Sequence, residues 1–435
     1  AIDMAEDAGS SQFYQEIRYN FSRRSRMNGS LGASYWREKS DQTYWFSPNE
    51  QNMFHLFFDP SYLIMPDGQP YSVEALPQIP QLGGLGGMPL PINHEEENYS
   101  NAKNQAAEIF LDISHELTKR IFFNGGVRGV YDWNKLESEA TFIGGSESTL
   151  GMLTGNYPNL FFKPSETKEI KNKGFSYTWR AGLKFKFNEN ANLFANYSIG
   201  RRPNVLQFTS AGEPEILDAE NVINYDAGFK THILTRILFD VVGFYQEYTD
   251  FQTSAWIADP TSGEFNYKVK NGGQATAYGA EANLKIAVIK GLDLYGNYAW
   301  LNATFDDTDK SGAKQEYAGN RFRLAPEHSF SAGMNASANI TPDILFFINP
   351  SYSYKSQIYF EDANTPGLEQ EAYGTLNVNG GLELDNPNII LPVFGTNLLN
   401  EQFVISAGNT GSLFGVPTFV PGAPKMIGTK LTWKF

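Results

Sequence analysis

The run Phe175-Ser176-Tyr177-Thr178-Trp179-Arg180-Ala181-Gly182-Leu183-Lys184-Phe185-Lys186-Phe187 alternates without a break. Every odd position is apolar or aromatic, and no even position is. Period two is the signature of a β-strand with one apolar face. The opposite face carries Arg180, Lys184 and Lys186, cations that do not belong in a sandwich core. Ordinary strands average about 5–6 residues, and this one is roughly twice that length. At ~3.3 Å per residue and a tilt near ~45° it climbs roughly 30 Å, enough to cross an apolar band ~25 Å tall.

The pattern recurs in both directions. Ala107, Ile109, Leu111 and Ile113 alternate with Glu108, Asp112 and Ser114. Phe123, Val127, Tyr131 and Trp133 alternate with Asn124, Arg128 and Asp132. At the C-terminal end, Ile427, Thr429, Leu431, Trp433 and Phe435 oppose Gly428, Lys430, Thr432 and Lys434. About fifteen strands follow from this period, over 12–22, 27–45, 103–117, 121–142, 173–188, 192–200, 221–233, 237–256, 267–287, 291–306, 324–340, 344–361, 372–385, 389–399 and 423–435. Short connections, such as Asn188-Glu189-Asn190, alternate with long ones over roughly 46–102, 143–172, 201–220, 307–323 and 400–422. Short turns on one rim and long loops on the other mark an outer-membrane barrel. The expected fold is all-β: a transmembrane antiparallel β-barrel domain over 1–435 with a long extracellular loop at about 46–102. That loop is rich in Pro and Gly and shows no strand period, as in Leu82-Gly83-Gly84-Leu85-Gly86-Gly87-Met88-Pro89. A loop of this length is functional or disordered.

Composition agrees. Mean hydropathy is only −0.38, and no apolar run approaches the ~18–20 residues of a membrane helix. A barrel strand alternates, so its average stays moderate. A net charge of −14 argues against nucleic acid as a partner. With no cysteine there are no disulfides, thiolate metal sites or cysteine nucleophiles. The chain opens in polar sequence without a secretory leader, which an outer-membrane protein requires; the leader is therefore expected to have been removed or to lie upstream.

Several stretches resemble the TonB-dependent outer-membrane receptors. Asn192-Leu193-Phe194-Ala195-Asn196-Tyr197-Ser198-Ile199-Gly200-Arg201-Arg202-Pro203 is similar to their mid-barrel "LFASYSxGFRxP". Asn224-Tyr225-Asp226-Ala227-Gly228-Phe229-Lys230 resembles "NYExGxK", and Phe244-Tyr245-Gln246-Glu247-Tyr248-Thr249-Asp250-Phe251-Gln252 resembles "FYxxYxDFQ". Tyr278-Gly279-Ala280-Glu281-Ala282, Ala325-Pro326-Glu327-His328-Ser329-Phe330, Asn397-Leu398-Leu399 and Pro421-Gly422-Ala423-Pro424 follow in family order. The resemblance implies a 22-stranded barrel, an N-terminal plug and a TonB-binding box. Counted back from Phe435, the first strand here is about the eighth, so the box, the plug and about seven strands are expected to be missing from this stretch. The terminal Trp433 and Phe435 resemble the signal read by the barrel-assembly machinery. The family further implies a Gram-negative outer membrane with its lipid and lipopolysaccharide. It implies import driven by TonB, ExbB and ExbD, without a cofactor. The ligand class is a scarce solute such as a ferric siderophore, cobalamin, haem or a glycan. A passive porin and an outer-membrane barrel enzyme are the alternatives.

Candidate functional residues fall into two sets. The inward charges are Glu16, Arg18, Glu108, Asp112, Arg128, Asp132, Arg180, Lys184 and Lys186. They either form the network that lines the wall or guide an anionic or polar ligand. The loop aromatics Trp45, Phe57, Tyr62, Tyr157, Phe161 and Phe414 are candidates for ligand contact at the mouth. His94-Glu95-Glu96-Glu97 reads as a solvated acidic loop, with cation binding as the sharper alternative. No catalytic motif is present: there is no G-x-S-x-G, HExxH, P-loop or G-x-G-x-x-G.

Overall fold

A computed structural model describes residues 2–23, 26–57, 74–76, 78, 80–208, 213–234, 236–258, 265–385, 388–408 and 418–434. Fifteen strands follow one another in one antiparallel sheet, each hydrogen-bonded to the next in sequence. They are β1 (Ile2–Arg23), β2 (Met27–Pro48), β3 (Glu95–Glu116), β4 (Ile121–Gly144), β5 (Ser165–Asn188), β6 (Ala191–Arg202), β7 (Glu220–Ile233) and β8 (Ile237–Thr249). The wall continues with β9 (Ala275–Ile289), β10 (Leu292–Phe305), β11 (His328–Thr341), β12 (Ile344–Lys355), β13 (Tyr373–Leu384), β14 (Ile389–Thr396) and β15 (Met426–Thr429). The short piece Thr432–Trp433 continues β15 along β14. This is the meander of a transmembrane β-barrel wall.

The two faces divide as the period requires. Ile17, Tyr19, Ile109, Val127, Phe175 and Tyr177 stand well exposed on one face. An exposed apolar face this wide is costly in water and favourable against lipid. Among the described residues no helix is long and apolar enough to cross a membrane.

The strands are not of equal length. β1 to β5 run 22–24 residues, whereas β6 to β13 run 12–15. On the rise and tilt of a barrel strand, the first five stand roughly 20 Å above the rest. Sequence reading starts β1 at 12 and β3 at 103, where the apolar alternation begins. Pairing in fact continues from Ile2↔Pro48 and to Phe46↔Glu96. Above the lipid both faces of a strand are wet, so the alternation fades while the hydrogen bonds persist.

Two expected strands are each two pieces. The span 237–256 breaks at Asp250, whose φ is +56°, and Gln252–Ala258 leaves the wall. It pairs instead with Phe265–Asn271, the detached front of the expected 267–287 strand, which breaks at Gly273 with φ +89°. Two left-handed residues thus turn a hairpin out of β8 and β9.

Candidate functional site

The charged face of β1 to β6 is a network of ion pairs. Arg18 meets Glu16 at 2.7 Å, Arg128 meets Glu108 at 3.5 Å, and Arg180 meets Asp112 at 2.7 Å. Asp132 pairs with Arg201 at 3.1 Å, and Arg201 also donates to Ser176 Oγ at 3.2 Å. Lys184 Nζ and Lys186 Nζ each sit 4.9 Å from the centre of the Phe122 ring. Arg201 and Phe110 are the members that sequence reasoning missed. Phe110 is buried among charges, with Arg18 and Arg128 over its ring at 5.4 and 5.5 Å. It lies across Gly32, where a Cβ would stand 2.3 Å from the ring. Phe110 holds an even position between Glu108 and Asp112, and that parity is the signal that places it on the charged face.

Above this wall, the β2–β3 connection (49–94) and the β4–β5 connection (145–164) fold on each other. Met53, Leu76, Leu90, Leu150 and Leu160 form one buried apolar cluster, with Leu82, Leu85, Leu153 and Phe161 against it. A helix, Glu50–Phe57, opens the first connection. Its Glu50 is fully buried and accepts from Leu150 N at 3.0 Å, from Thr149 N at 3.2 Å and from Ser148 Oγ. Glu96 is also fully buried and accepts from Leu160 N at 2.6 Å and Phe161 N at 2.9 Å. His94 lies between the two connections, its Nε2 3.1 Å from Glu96 and its Nδ1 2.9 Å from the Ser146 carbonyl.

Burial pushes the Glu50 carboxyl above the ordinary 4.5, although Ser148, Leu150, His94 and Thr149 pull the other way. Burial lowers His94, but its bond to Glu96, the Ser146 carbonyl and the charges of Glu96 and Glu50 outweigh that. The ring holds its proton above the ordinary 6.5. The reading of 94–97 as a solvated acidic loop is therefore corrected: His94 and Glu96 are the staple of the loop assembly. Among the described residues no three His, Asp or Glu side chains gather as a metal site.

The mouth aromatics are dispersed. Trp45 Nε1 donates to Glu97 at 2.6 Å. Phe161 packs on the loop cluster, 5.3 Å from the Phe46 ring. Tyr157 is 44% exposed and its hydroxyl meets Glu147. Phe57 ends the helix Glu50–Phe57, while Tyr62, Phe414 and Phe435 lie outside the described residues. Trp433 stands 62% exposed opposite Ile389. A separate open cleft of about 420 Å³, lined in part by Asp250, Lys270, Lys310 and Tyr317, sits at the same rim. Two of the three lysines that line it are engaged: Lys270 by Glu316 at 2.7 Å and Lys310 by Asp250 at 2.8 Å.

Comparison with known proteins agrees with this architecture. Residues 5–398 match the family model described as TonB dependent receptor-like, beta-barrel. A probable TonB-dependent siderophore receptor, PiuA of Acinetobacter baumannii, is 20% identical over 301 residues, covering 65% of this chain and 36% of that protein. The ferric yersiniabactin uptake receptor FyuA from Yersinia pestis superposes with a TM-score of 0.72 at 16% identity, over 99% of this chain and 55% of that one. The siderophore receptor PiuA from Acinetobacter baumannii superposes at 0.63 and 16%, over 99% and 56%. The chain thus spans little more than half the length of these solved structures, and about a third of the curated relative.

Proposed function

Since the chain belongs to the TonB-dependent receptor-like β-barrel family, we propose that it forms the greater part of the wall and mouth of an outer-membrane importer for a chelated metal of the ferric siderophore type. The observation that carries the reading is the division of one continuous wall. Its apolar face suits lipid, its ion-paired face suits a wet lumen, and folded loops stand over the lumen on the tall β1–β5 side. Relatives described as siderophore receptors support the ligand class.

In this reading the paired charges hold the wall rigid around a passage. Glu108, Asp112, Arg128, Asp132 and Arg180 are largely neutralised by neighbours, and Lys184 leans on a ring. They present hydrogen-bonding groups to a moving solute without a strong net field. Among the described mouth aromatics, the exposure of Tyr157 supports a role in touching a ligand, whereas Trp45 and Phe161 position the loops. Capture is by binding, and the energy for release comes from TonB driven by ExbB and ExbD. Family membership is of receptors and transporters, so no chemical step is assigned.

The test is uptake of radioactive iron by paired Gram-negative strains with and without the gene, supplied in turn with hydroxamate, catecholate and phenolate chelates. One chelate should enter only with the gene and only with TonB intact. Equal uptake of all three in both strains would retire the proposal.

A further inference from the structure

On the charged face of the tall strands, the row above Tyr14 and Trp36 is made mostly of amides. Gln12 of β1 is opposite Glu38 of β2, and Glu38 is opposite Asn104 of β3. Asn104 is opposite Asn134 of β4, and Asn134 is opposite Asn172 of β5. Parity puts the row on the face of Glu16, Glu108 and Arg180, because no register shift intervenes. On β5 the outward apolar run ends at Phe175, and Asn172 lies three residues beyond it. At roughly 7 Å above that edge, the row belongs to the mouth and not to the lipid-spanning height of the wall.

Asparagine is disfavoured in strands, so a row of them needs a reason other than the ladder. Polar rows elsewhere on this face close on themselves. Asn196 and Asn224 donate to Asp226 at 2.7 and 2.9 Å, and Gln246 donates to Asn224 at 3.0 Å. Gln12 likewise donates to Glu38 at 2.8 Å. The side chains of Asn104, Asn134 and Asn172 make no hydrogen bond among the described residues, although Cβ atoms of such neighbours stand about 5 Å apart. The indole N–H of Trp36, one row beneath, is also unengaged among them. These four side chains are half-buried, and their unpaired polar atoms remain accessible.

Charge selects among ligands. From Tyr14 upward, the inward positions of β1 to β5 carry one cation among the described residues, Lys168, and Glu213 lies 3.5 Å from it. The carboxylates of Glu38 and Glu6 face the same space, each held by a glutamine and not by a cation. This part of the mouth therefore repels an anion and offers amide donors and acceptors to an uncharged solute. A ferric trihydroxamate is neutral, because its monoanionic arms cancel the charge of the metal. A ferric triscatecholate, with dianionic arms, is a trianion.

We propose that Asn104, Asn134 and Asn172, with Trp36 beneath them and Glu38 beside them, form a docking row for a neutral, amide-rich ferric chelate of the trihydroxamate class. The three asparagines span roughly 10 Å, two strand spacings, so one compact chelate meets all of them. The inference rests on the importer reading and narrows its ligand class by charge.

Titration calorimetry of the detergent-solubilised full protein carrying this chain tests it with ferrichrome, a neutral trihydroxamate, and ferric enterobactin, a triscatecholate. The parent should bind ferrichrome the more tightly. N104A/N134A/N172A should bind it about tenfold more weakly or worse, as the loss of several hydrogen bonds requires. K103Q, beside Asn104 but on the opposite face of β3, should bind as the parent does. Should the triple variant lack the gel-mobility shift of a folded barrel, N134A alone should weaken binding about two- to fivefold. N134K should improve binding of ferric enterobactin, because it places a cation in the row. Three results each overturn the inference: a parent that prefers the trianion, equal affinity of parent and variants for ferrichrome, or tighter binding of maltohexaose than of ferrichrome. Uptake separates the two readings. Import of ferric enterobactin but not of ferrichrome overturns the row and leaves the importer standing. Import of no ferric chelate means that the importer reading has failed, and the row falls with it.

Discussion

The Asp112 carboxylate and the Arg180 guanidinium meet at 2.7 Å although a whole strand lies between them. Asp112 is opposite Gly126, and Gly126 is opposite Arg180. The missing side chain of Gly126 is the gap through which the two charges touch, since a Cβ there would stand 2.3 Å from Asp112 Oδ1. Gly32 does the same for Phe110, with a different obstacle: a Cβ would meet the ring at 2.3 Å and the Ile17 carbonyl at 2.9 Å.

The two glycines therefore predict opposite outcomes. In Gly126→Ala the obstacle is the free end of a partly exposed carboxylate, which can swing away, and an ion pair this exposed contributes about 0–1 kcal/mol. Stability should change by no more than about that. In Gly32→Ala a buried ring and a main-chain carbonyl must both move, which costs about 1–3 kcal/mol. Urea unfolding midpoints in detergent should separate the two variants in that order, and equal midpoints would show that Phe110 is not clamped.

Glu50 predicts a local effect. Replacing it by alanine leaves Ser148 Oγ and two backbone N–H groups without an acceptor inside the loop assembly. Each buried unsatisfied donor costs about 1–3 kcal/mol. Glu50→Ala should expose the amides of Thr149 and Leu150 to hydrogen exchange while β3 and β4 stay protected. Glu50→Gln, which keeps one acceptor oxygen, should fall between. Loss of protection in the strands as well would mean that the loops and the wall unfold together.

The same assembly should respond to pH. The folded pKa values of His94 and Glu50 are both raised. A group with a raised folded pKa adds stability that is fully present below its unfolded value and is lost as pH rises through the folded value. For Glu50 that loss begins above about 4.5, and for His94 above about 6.5. The loops should therefore loosen as pH rises, not as it falls. Protection factors for Leu160 and Phe161, corrected for intrinsic exchange, should decline above about pH 6.5, and His94→Gln should flatten that part of the decline.

How far this was readable in the chain depends on what each residue faces. Tyr197, Tyr225, Tyr245 and Tyr278 sit in four separate family-like stretches, and the register places them opposite one another on β6 to β9. Their polar neighbours make a matching row, with Asn196 donating to Asp226 at 2.7 Å and Gln246 to Asn224 at 3.0 Å. Those motifs were legible because each is one rung of a ladder. The loop staple was not. Glu50, His94, Glu96 and Ser148 are separated by up to 98 residues and have no period in common. Nothing local marks Glu96 as buried and Glu95 as exposed.

The apolar face gives the sharpest test of the membrane reading, because water and lipid predict opposite things. Val127 lies midway along the apolar part of the outward positions of β4, Ile121 to Trp133, and is 49% exposed. In water, arginine at an exposed strand position changes stability by about 0.5 kcal/mol and improves solubility. Facing acyl chains near mid-depth, it costs about 2–4 kcal/mol. Ser30→Arg supplies the control, since Ser30 is opposite Asp112 on the charged face and the new cation gains a carboxylate neighbour. Val127→Arg should therefore reduce the folded, heat-modifiable species recovered from outer membranes, while Ser30→Arg leaves it within experimental error. If Val127→Arg instead raised the yield of dispersed folded protein, the exposed face would be meeting water, and the outward positions of all fifteen strands would need a different explanation.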